Sequence, residues 1–476
     1  KEEQQQIIDV LLEGEGLQAA WSSYRRELFS SAHFFKKSGR YRLFAPGNLG
    51  KGDFNVYRMF VETALANTRV GGYAAQVVPA GIYSGANAQA IRRELYEHWT
   101  IVMLVGLVNA GEEWFSGVDE STKFAVYAAR RGGPTSDIPV AFGVATASDL
   151  AAKIAEPVLV SLTTVHAQSP QALVVPETLG DRDSDIASRM YSCWPSFGDK
   201  SVGEPYRKYA RELDMGNDRD LFGDHRDYPD GLPVYEGRMV DHFDYRAKAY
   251  QSGRGRAAVW EPLPFGSPTK AIRPQWRLPI ANVPKKLGDR TNRYRVAFCD
   301  VASSERKRSL VAALVPPEVI CGDKVPTISF APEWEWVYMP WLAVANSLCM
   351  DYLVRKKIAL KMALNVVDSL PFPRWSPNSP LAQRVGQIAL RLTCTGVEMT
   401  AYWNAMAELG WCDPISPEAE PPGLVEHAAR ELAKAEIEAI VAREVYALSR
   451  DDLEFILDAF GILCDEECRR HGEYRT

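Results

Sequence analysis

Arginine and lysine side chains are concentrated in one stretch of the sequence, and their chemistry suits contact with nucleic acid. Between Arg238 and Arg308 the chain holds 16 Lys and Arg against 6 Asp and Glu, a net charge of +10. The whole chain has a formal net charge of −6, so the remaining residues carry −16. This asymmetry predicts a basic face for nucleic acid, where Arg and Lys neutralise phosphates and Arg reads guanine edges. The alternative is a solvated basic face.

Nine basic residues of this stretch are the predicted DNA-binding side chains. Two of them belong to Ser252-Gly-Arg-Gly-Arg256, a flexible loop suited to close approach of a backbone. Trp260 and Trp276 lie among the others. The predicted residues are Arg238, Arg246, Lys248, Arg254, Arg256, Arg273, Arg277, Lys285 and Lys286.

Motifs for several other chemistries are missing from the sequence. No Walker A, HExxH or GxSxG pattern occurs. The eight cysteines form no CxxC pair, and Cys464 and Cys468 have no second pair nearby to complete a zinc site. We therefore predict no metal site, and cysteines that stay reduced in a cytoplasmic protein.

The elements that precede the basic stretch alternate between helices and apolar strands. Asp53 is suited to cap a helix carrying Val56, Phe60 and Leu65 on one side, and Gly71-Gly72 ends it. This alternation predicts an α/β fold, with a mostly parallel sheet and helices on its faces. The predicted strands are Tyr73–Val78, Ile101–Val108 and Lys123–Ala129, with edge strands at Pro139–Ala145 and Val158–Val165 and a helix at Ala86–Trp99.

The rest of the chain is predicted to contain a connector, a mixed α+β region and a helical tail. A short helix is predicted at Tyr206–Leu213 and a longer one at Trp341–Lys357. Ser449 and Asp452 have the spacing of a capping box. No apolar run is long enough to span a bilayer, and the N-terminal residues lack the apolar region of a signal peptide.

Several segments also resemble, in order, the DNA adenine-N6 methyltransferases, specifically the large single-chain methylases of restriction–modification and phage-defence systems. The first three are similar to the second half of the catalytic domain in that family, and the others to its target-recognition domain. The segments are Gly52–Leu65, Gly71–Pro79, Trp114–Val118, Pro233–Arg246, Arg293–Ala302 with Arg306, Arg308 and Pro316, Ala345–Arg355, and Leu370–Pro373.

The resemblance implies a fold, a reaction and one site residue. The fold is the second half of a class I methyltransferase (Rossmann-like) sheet at 1–165, a connector at 166–233, a mixed α+β target-recognition domain at 234–375 and a helical region at 376–476. The reaction is methyl transfer from S-adenosylmethionine to a flipped adenine of double-stranded DNA, which distinguishes host from foreign DNA. Phe115 matches the aromatic residue that packs against the flipped adenine. The alternative is that Phe115 or Trp114 plugs the sheet edge.

The sequence departs from the family in two motifs that the reaction needs. It contains no glycine-rich turn after an early strand to approach the methyl donor, and no Asn-Pro-Pro or Asp-Pro-Pro turn to hold the adenine amine. We therefore expect the donor site and the catalytic turn in an upstream segment or a partner chain, and this chain alone to be inactive. The alternatives are a non-catalytic DNA-binding specificity subunit of a restriction or phage-defence complex, or a structural subunit of a defence complex.

Overall fold

The computed structural model describes residues 2–44, 55–178, 180–267, 269–303, 306–358 and 361–473, without the side chains of residues 2–4, 15 and 256. The predicted helix cap, Asp53, lies outside the described residues. The chain forms two compact units, which we call unit 1 (Lys1–Leu179) and unit 2 (Gly180–Thr476). Each unit is described by itself. No helix among the described residues is both long and apolar enough to cross a membrane.

Unit 1 combines one sheet with helices on the sheet and before it. The three central strands lie where they were predicted, and two helices precede them at the N-terminal end of the unit. The elements are α1 (Glu2–Leu12), α2 (Glu15–Lys37), α3 (Tyr57–Asn67), β1 (Tyr73–Pro79), α4 (Gly81–Ser84), α5 (Gln89–His98), β2 (Trp99–Val108), β3 (Lys123–Arg131), β4 (Asp137–Val144), α6 (Ala147–Ala155), β5 (Val158–Ser161) and α7 (Leu162–Gln168).

The sheet of unit 1 has the strand order β1-β3-β2-β4-β5. Only the β2–β4 pair is parallel, while β1–β3, β2–β3 and β4–β5 are antiparallel. The prediction of a mostly parallel sheet is therefore wrong. The reason is that residues 109–122 form a loop without a long helix, so the chain returns beside β2 as a hairpin instead of crossing over. Because β3 is antiparallel to both neighbours, β1 and β2 run in the same direction, and α5 lies between them along the chain.

Helix α3 buries a different face from the one predicted. Phe60 is 66% exposed and Val56 is also exposed, whereas Leu65 is buried as expected. The buried face instead includes two charged side chains. Glu62 accepts hydrogen bonds from the backbone N–H groups of Arg42 and Phe44, the latter at 2.9 Å. Arg58 donates to the Asn87 carbonyl at 2.6 Å. These bonds compensate the burial of the two charges, so polarity alone did not reveal the inner face.

Unit 2 contains two four-stranded sheets, one two-stranded sheet and nine α-helices among its described residues. The sheets have the orders β14-β8-β11-β7, β13-β12-β15-β6 and β10-β9. The elements are α8 (Asp181–Cys193), β6 (Lys208–Ala210), β7 (Gly223–Asp224), β8 (Leu232–Tyr235), β9 (Lys248–Ser252), β10 (Val259–Pro262), β11 (Trp276–Leu278), β12 (Arg295–Phe298), β13 (Ala312–Val315), β14 (Ile320–Cys321), β15 (Thr327–Ser329), α9 (Tyr338–Ala345), α10 (Leu348–Arg355), α11 (Leu364–Asp368), α12 (Pro380–Thr393), α13 (Thr400–Glu408), α14 (His427–Ile440), α15 (Arg450–Asp458) and α16 (Gly461–His471).

Two helix predictions in unit 2 are wrong for tertiary reasons. The segment predicted as a helix at Tyr206–Leu213 contains β6, which pairs with β15. The predicted helix Trp341–Lys357 is broken into α9 and α10. At the break, Asn346 exchanges two hydrogen bonds with the backbone of Ala312, at 3.1 and 3.0 Å. Ser347 then accepts the Met350 N–H and caps α10.

One hydrophobic core extends through unit 2 from Ile186 to Leu463. It joins segments that were predicted as a connector, a recognition domain and a helical tail. A buried ion pair lies within this unit, with Arg295 Nε 2.6 Å and Nη2 3.0 Å from the two Glu212 oxygens. Both side chains are fully buried. Burial raises the pKa of Glu212, but Arg295 and the hydrogen bonds outweigh it and hold the pKa below its usual value.

Candidate base-stacking loop and nucleic-acid interface

The loop between β2 and β3 is held by one buried side chain, Asn109. Its Oδ1 accepts the backbone N–H groups of Trp114 at 3.2 Å and Phe115 at 2.9 Å. Its Nδ2 donates to the carbonyls of Phe115 and Val118, both at 2.9 Å. Asn109 directly follows β2, so the loop is fixed at the carboxyl end of that strand. The amide has all its main hydrogen-bonding capacity in use, which gives the loop a defined backbone.

Phe115 and Trp114 take different roles in this loop. Trp114 packs on the sheet with Val105 and Phe124, and its ring centroid is 6.4 Å from that of Phe124. Phe115 meets the same Phe124 ring edgewise at 5.0 Å and remains 46% exposed. Trp114 therefore packs against the central strands of the sheet, while Phe115 presents an aromatic surface to solvent. Base stacking on Phe115 remains a prediction.

Near the carboxyl end of β2, three polar side chains are paired with one another. Glu177 accepts a hydrogen bond from the Tyr83 hydroxyl at 2.8 Å and from Lys123 Nζ at 2.9 Å. Burial and the neighbouring Glu177 carboxylate raise the pKa of Tyr83 well above its usual value. Glu177 is therefore occupied and does not offer a free carboxylate for a ribose.

The structure separates the nine predicted DNA-binding residues by exposure. Arg273 and Arg277 are half-buried. The side chain of Arg256 lies outside the described part of the structure. Arg246 is buried, and the exposed residues are Arg238, Lys248, Arg254, Lys285 and Lys286.

The prediction that Arg246 contacts DNA is corrected by its burial, with 6% of the residue exposed. Its Nη1 donates to the Lys270 carbonyl at 2.9 Å, and its Nη2 donates to the Thr395 carbonyl at 2.8 Å. Glu398 lies 3.5 Å away. The guanidinium thus ties together segments far apart in the sequence and is not available to phosphate.

Five other cations of the basic stretch form ion pairs within unit 2. The exposed surface of this stretch is therefore less basic than its net charge of +10 indicates. Each of the five cations pairs with a carboxylate at short range. The pairs are Lys270–Asp244 at 2.7 Å, Arg290–Glu212 at 3.3 Å, Arg293–Glu335 at 2.6 Å, Arg295–Glu212 at 2.6 Å and Arg308–Asp351 at 2.8 Å.

Strands β9 and β10 form an antiparallel ribbon that carries two of the exposed cations, Lys248 on β9 and Arg254 at the tip. Tyr250 lies opposite Trp260, with ring centroids 5.7 Å apart. One edge of the ribbon is attached to unit 2 by the Tyr250 N–H, which donates to the Arg273 carbonyl at 3.0 Å. The guanidinium carbon of Arg238 lies 5.9 Å from the Trp260 ring. The ribbon thus places aromatic rings beside basic side chains, an arrangement common in nucleic-acid binding.

The tip of this ribbon lies beside a cluster that the sequence analysis did not identify. Asp224 accepts Arg226 Nε at 2.8 Å and Nη2 at 3.0 Å. These hydrogen bonds from Arg226 hold the Asp224 pKa well below its usual range. Arg254 Nη2 lies 3.8 Å from the same carboxylate, and Arg219 lies 4.4 Å over the Trp276 ring. The signal for this cluster was weak, because Arg219 and Arg226 are surrounded in the sequence by aspartates.

Acidic residues limit the direction from which a polyanion can approach this cluster. Asp220, Asp227 and Asp230 are exposed in the segment that contains β7 and precedes β8. Like charges at this range repel phosphate. These carboxylates therefore disfavour phosphate contact within residues 220–230.

Within the described ranges, no group of three His, Cys, Asp or Glu side chains is placed to hold a metal ion. Cys464 and Cys468, which the sequence singled out, lie 3.9 Å apart at their sulfurs.

No protein-family model and no curated protein matches this sequence. Solved structures that are similar to parts of it include the following three. The first is the Type IIL restriction-modification enzyme MmeI in complex with DNA, which is 11% identical with a TM-score of 0.40. The matched region covers 85% of this chain and 51% of the MmeI chain. The type IIG restriction endonuclease BpuSI is 12% identical with a TM-score of 0.27, and the matched region covers 84% of this chain and 50% of the BpuSI chain. A modification subunit assigned to a type I restriction enzyme from Vibrio vulnificus YJ016 is 26% identical with a TM-score of 0.16, and the matched region covers 18% of this chain and 18% of that subunit. This chain spans about half the length of MmeI and of BpuSI, and similarity of this size carries no functional argument.

Proposed function

We propose that this chain is part of a site-specific, adenine-specific DNA methyltransferase of a restriction–modification or phage-defence system. Unit 1 contributes the second half of the methyltransferase sheet, and residues 234–375 contribute target recognition. The observation that carries the proposal is the loop in which Asn109 fixes Phe115, half-exposed, at the carboxyl end of β2. Ligands of open α/β sheets bind outside the carboxyl ends of strands.

The topology of unit 1 supports a methyltransferase-type half-sheet. Strands β1 and β2 run in the same direction and are connected through α5, which is the βαβ arrangement of doubly wound sheets. The order of the motifs at Gly71–Pro79 and Trp114–Val118 agrees with this assignment. Strand β3 lies between β1 and β2 and is antiparallel to both, so the Phe115 loop that precedes β3 lies beside the end of β2.

Phe115 has the properties needed to support an extruded base. Flipping a nucleotide out of the duplex costs a few kcal/mol, and stacking on an aromatic ring recovers about 1–3 kcal/mol. A ring whose backbone is already fixed by Asn109 loses little conformational freedom when the base arrives. We assign the methyl donor, S-adenosylmethionine, and the catalytic turn to an upstream segment or a partner chain, acting in the cytoplasm. The residues of this chain position the adenine and the duplex.

A second candidate function is a DNA-binding specificity subunit that performs no chemistry. It is favoured by the pairing of Glu177 with Tyr83 and Lys123, which leaves that carboxylate occupied. The absence of an Asn-Pro-Pro or Asp-Pro-Pro turn from the sequence also favours it.

Methyl transfer by the assembled protein distinguishes the two candidates. The chain is purified with its natural partner or upstream segment, then incubated with duplex DNA and isotopically labelled S-adenosylmethionine. We expect N6-methyladenine in the product, and no methylation or micromolar donor binding by this chain alone. Label on cytosine would contradict adenine specificity. Tight duplex binding without any label would favour the specificity subunit.

A further inference from the structure

We infer that the β9–β10 ribbon is the element that enters the major groove of duplex DNA, and that Arg254 at its tip reads a base edge. This inference rests on the proposed function, because it specifies how unit 2 recognises its DNA. It assigns base contact to Arg254 and phosphate contact to the cations on either side of the ribbon.

The dimensions of the ribbon fit the groove. Its two strands form a separate sheet, with the pairs Lys248–Pro262, Ala249–Glu261, Tyr250–Trp260 and Ser252–Val259. Paired strands lie about 4.8 Å apart, and the major groove of B-DNA, about 12 Å wide, admits a two-stranded ribbon.

The ribbon is anchored to unit 2 along its strands, while residues 251–255 at its tip are exposed. Two-stranded sheets are marginally stable alone, so their rigidity depends on what supports them. Here Ala249 is buried, and the Leu263 N–H donates to the Ala247 carbonyl at 2.9 Å. Arg238 Nη1 donates to the Ala258 carbonyl at 3.2 Å and supports the return strand. The ribbon is therefore held rigidly enough to place side chains in a groove.

The exposed side chains of the ribbon are of the types that recognise bases. Gln251 is exposed and donates its amide to the exposed Glu261 across the two strands. Arginine pairs with guanine through two hydrogen bonds, glutamine pairs with adenine, and glutamate accepts from cytosine. Gln251 and Glu261 hold each other in this structure, so base contact is assigned to Arg254 alone.

The tip requires glycine and directs Arg254 outwards. Gly253 has a φ of +80°, and a Cβ at this position would lie 2.2 Å from the Ala257 carbonyl oxygen. The Gly253 carbonyl accepts the Tyr250 hydroxyl at 2.7 Å and Gln275 Nε2 at 3.2 Å. With the turn fixed in this way, 71% of the Arg254 side chain is exposed. Its guanidinium lies 3.8 Å from Asp224, which already holds Arg226, and 5.9 Å from the Trp276 ring, so only two long contacts hold it and most of its surface can meet a base.

The experiment compares the DNA sequences selected by the wild-type full chain and by Arg254→Ala from a random duplex library. We expect the wild type to select a motif containing guanine, and Arg254→Ala to lose preference at one position by about 5- to 150-fold, the discrimination of one bidentate pair. The salt dependence of binding stays the same, since no phosphate contact is lost. Arg450→Ala, whose side chain is 89% exposed on α15, is the matched control and selects the wild-type motif.

A modified base provides the test of the groove. Replacing the selected guanine by 7-deazaguanine removes an acceptor that only the major groove displays. It is expected to weaken the wild type and leave Arg254→Ala unaffected. If Arg254→Ala selects the wild-type motif and its salt slope is smaller than that of the wild type by about one, Arg254 contacts phosphate. That result would overturn this inference but leave the proposed function standing. Absence of any duplex binding by the wild type would overturn the proposed recognition function together with the inference.

Discussion

Asn109 and Phe115 are joined by two hydrogen bonds that run in opposite directions. The Phe115 N–H donates to Asn109 Oδ1, and Asn109 Nδ2 donates to the Phe115 carbonyl, both at 2.9 Å. Because Asn109 is fully buried, these bonds are shielded from water. The Phe115 backbone is thus fixed before any base arrives, which is the condition for a preorganised binding surface.

Replacing Asn109 by Ala should release this loop. The carbonyls of Phe115 and Val118 and the N–H of Phe115 would lose their partner, so we expect the free energy of unfolding to fall by about 1–3 kcal/mol. Urea denaturation measures the change. Ser116→Ala, an exposed position in the same loop, is the control and should change little. Equal stability of Asn109→Ala and wild type would show that the loop is held by other contacts.

Phe115→Ala in the complete enzyme should reduce turnover more than duplex affinity. If a flipped adenine stacks on this ring, losing about 1–3 kcal/mol of stacking lowers methylation by roughly 5- to 150-fold. Duplex affinity, which we assign to unit 2, should remain within about twofold. Methylation and binding are measured on the same duplex, with Phe115→Tyr as the control that keeps the ring. Unchanged turnover would leave Phe115 with only its packing on Phe124.

Duplex binding by the full chain should depend steeply on salt. Among the predicted DNA-binding residues, four exposed cations other than Arg254 are available for phosphate, and at about 0.9 per contact they give a slope of log affinity against log salt of roughly −3.6. Replacing Lys285 and Lys286 by Gln should flatten the slope by up to about two. Fluorescence anisotropy at several salt concentrations measures this, with Lys434→Gln on α14 as the control. A wild-type slope near zero would mean that the basic side chains do not meet DNA.

Arg295→Met should destabilise unit 2 strongly. It leaves Glu212 buried without its main partner, which costs about 3–5 kcal/mol. Because the pKa of Glu212 is held low in the folded state, the pair stabilises the protein above the usual pKa of a carboxyl group, and this stabilisation is lost as the pH falls through the lowered value. Arg384→Met, which breaks a surface contact with Glu444, is the control and should cost at most about 1 kcal/mol. Similar effects of both changes on urea denaturation would contradict this role of Glu212.

Glu438 should make stability fall as the pH rises from about 4.5 to 7. Its carboxylate accepts the Leu348 N–H at the start of α10, and burial raises its pKa to about 7. The folded state therefore binds more protons than the unfolded state between those pH values, so stability decreases with pH there. Glu438→Gln should remove this contribution, and Glu436→Gln, on the exposed side of α14, should keep it. Parallel stability curves for wild type and Glu438→Gln would contradict the prediction.

Features set by neighbouring residues were predictable from the sequence. The Ser449–Asp452 capping box is confirmed, because its hydrogen bonds span only three residues. The positions of β1, β2 and β3 were predicted within a few residues, since apolar runs of strand length indicate buried strands. The exposed Phe115 also lies in the predicted loop between two strands.

Features that depend on distant partners were not predictable. The direction of β3 depends on the path of residues 109–122, and the break between α9 and α10 depends on the contact of Asn346 with Ala312. Arg246 has the same side chain as a DNA-binding arginine, and only the positions of Lys270 and Thr395 show that it is buried. Charge counted along a sequence therefore overstates the basic surface wherever arginines are used to bind carbonyls and carboxylates inside the fold.

The shared core of unit 2 has a consequence for the exchange of segments between related chains. Glu212 precedes residue 233, but it bonds to Arg295, Thr327 and the backbone of Cys321 beyond it. A hybrid protein joined at 233 would combine halves of this network from two parents, and one joined at 375 would combine halves of the core. Either hybrid would need compensating changes on both sides of the junction. A hybrid that inherits residues 180–476 from a single parent keeps the ribbon, its anchor and the ion pair together. A change of DNA target by recombination should therefore succeed when the whole of unit 2 is transferred, or when only the ribbon tip is replaced.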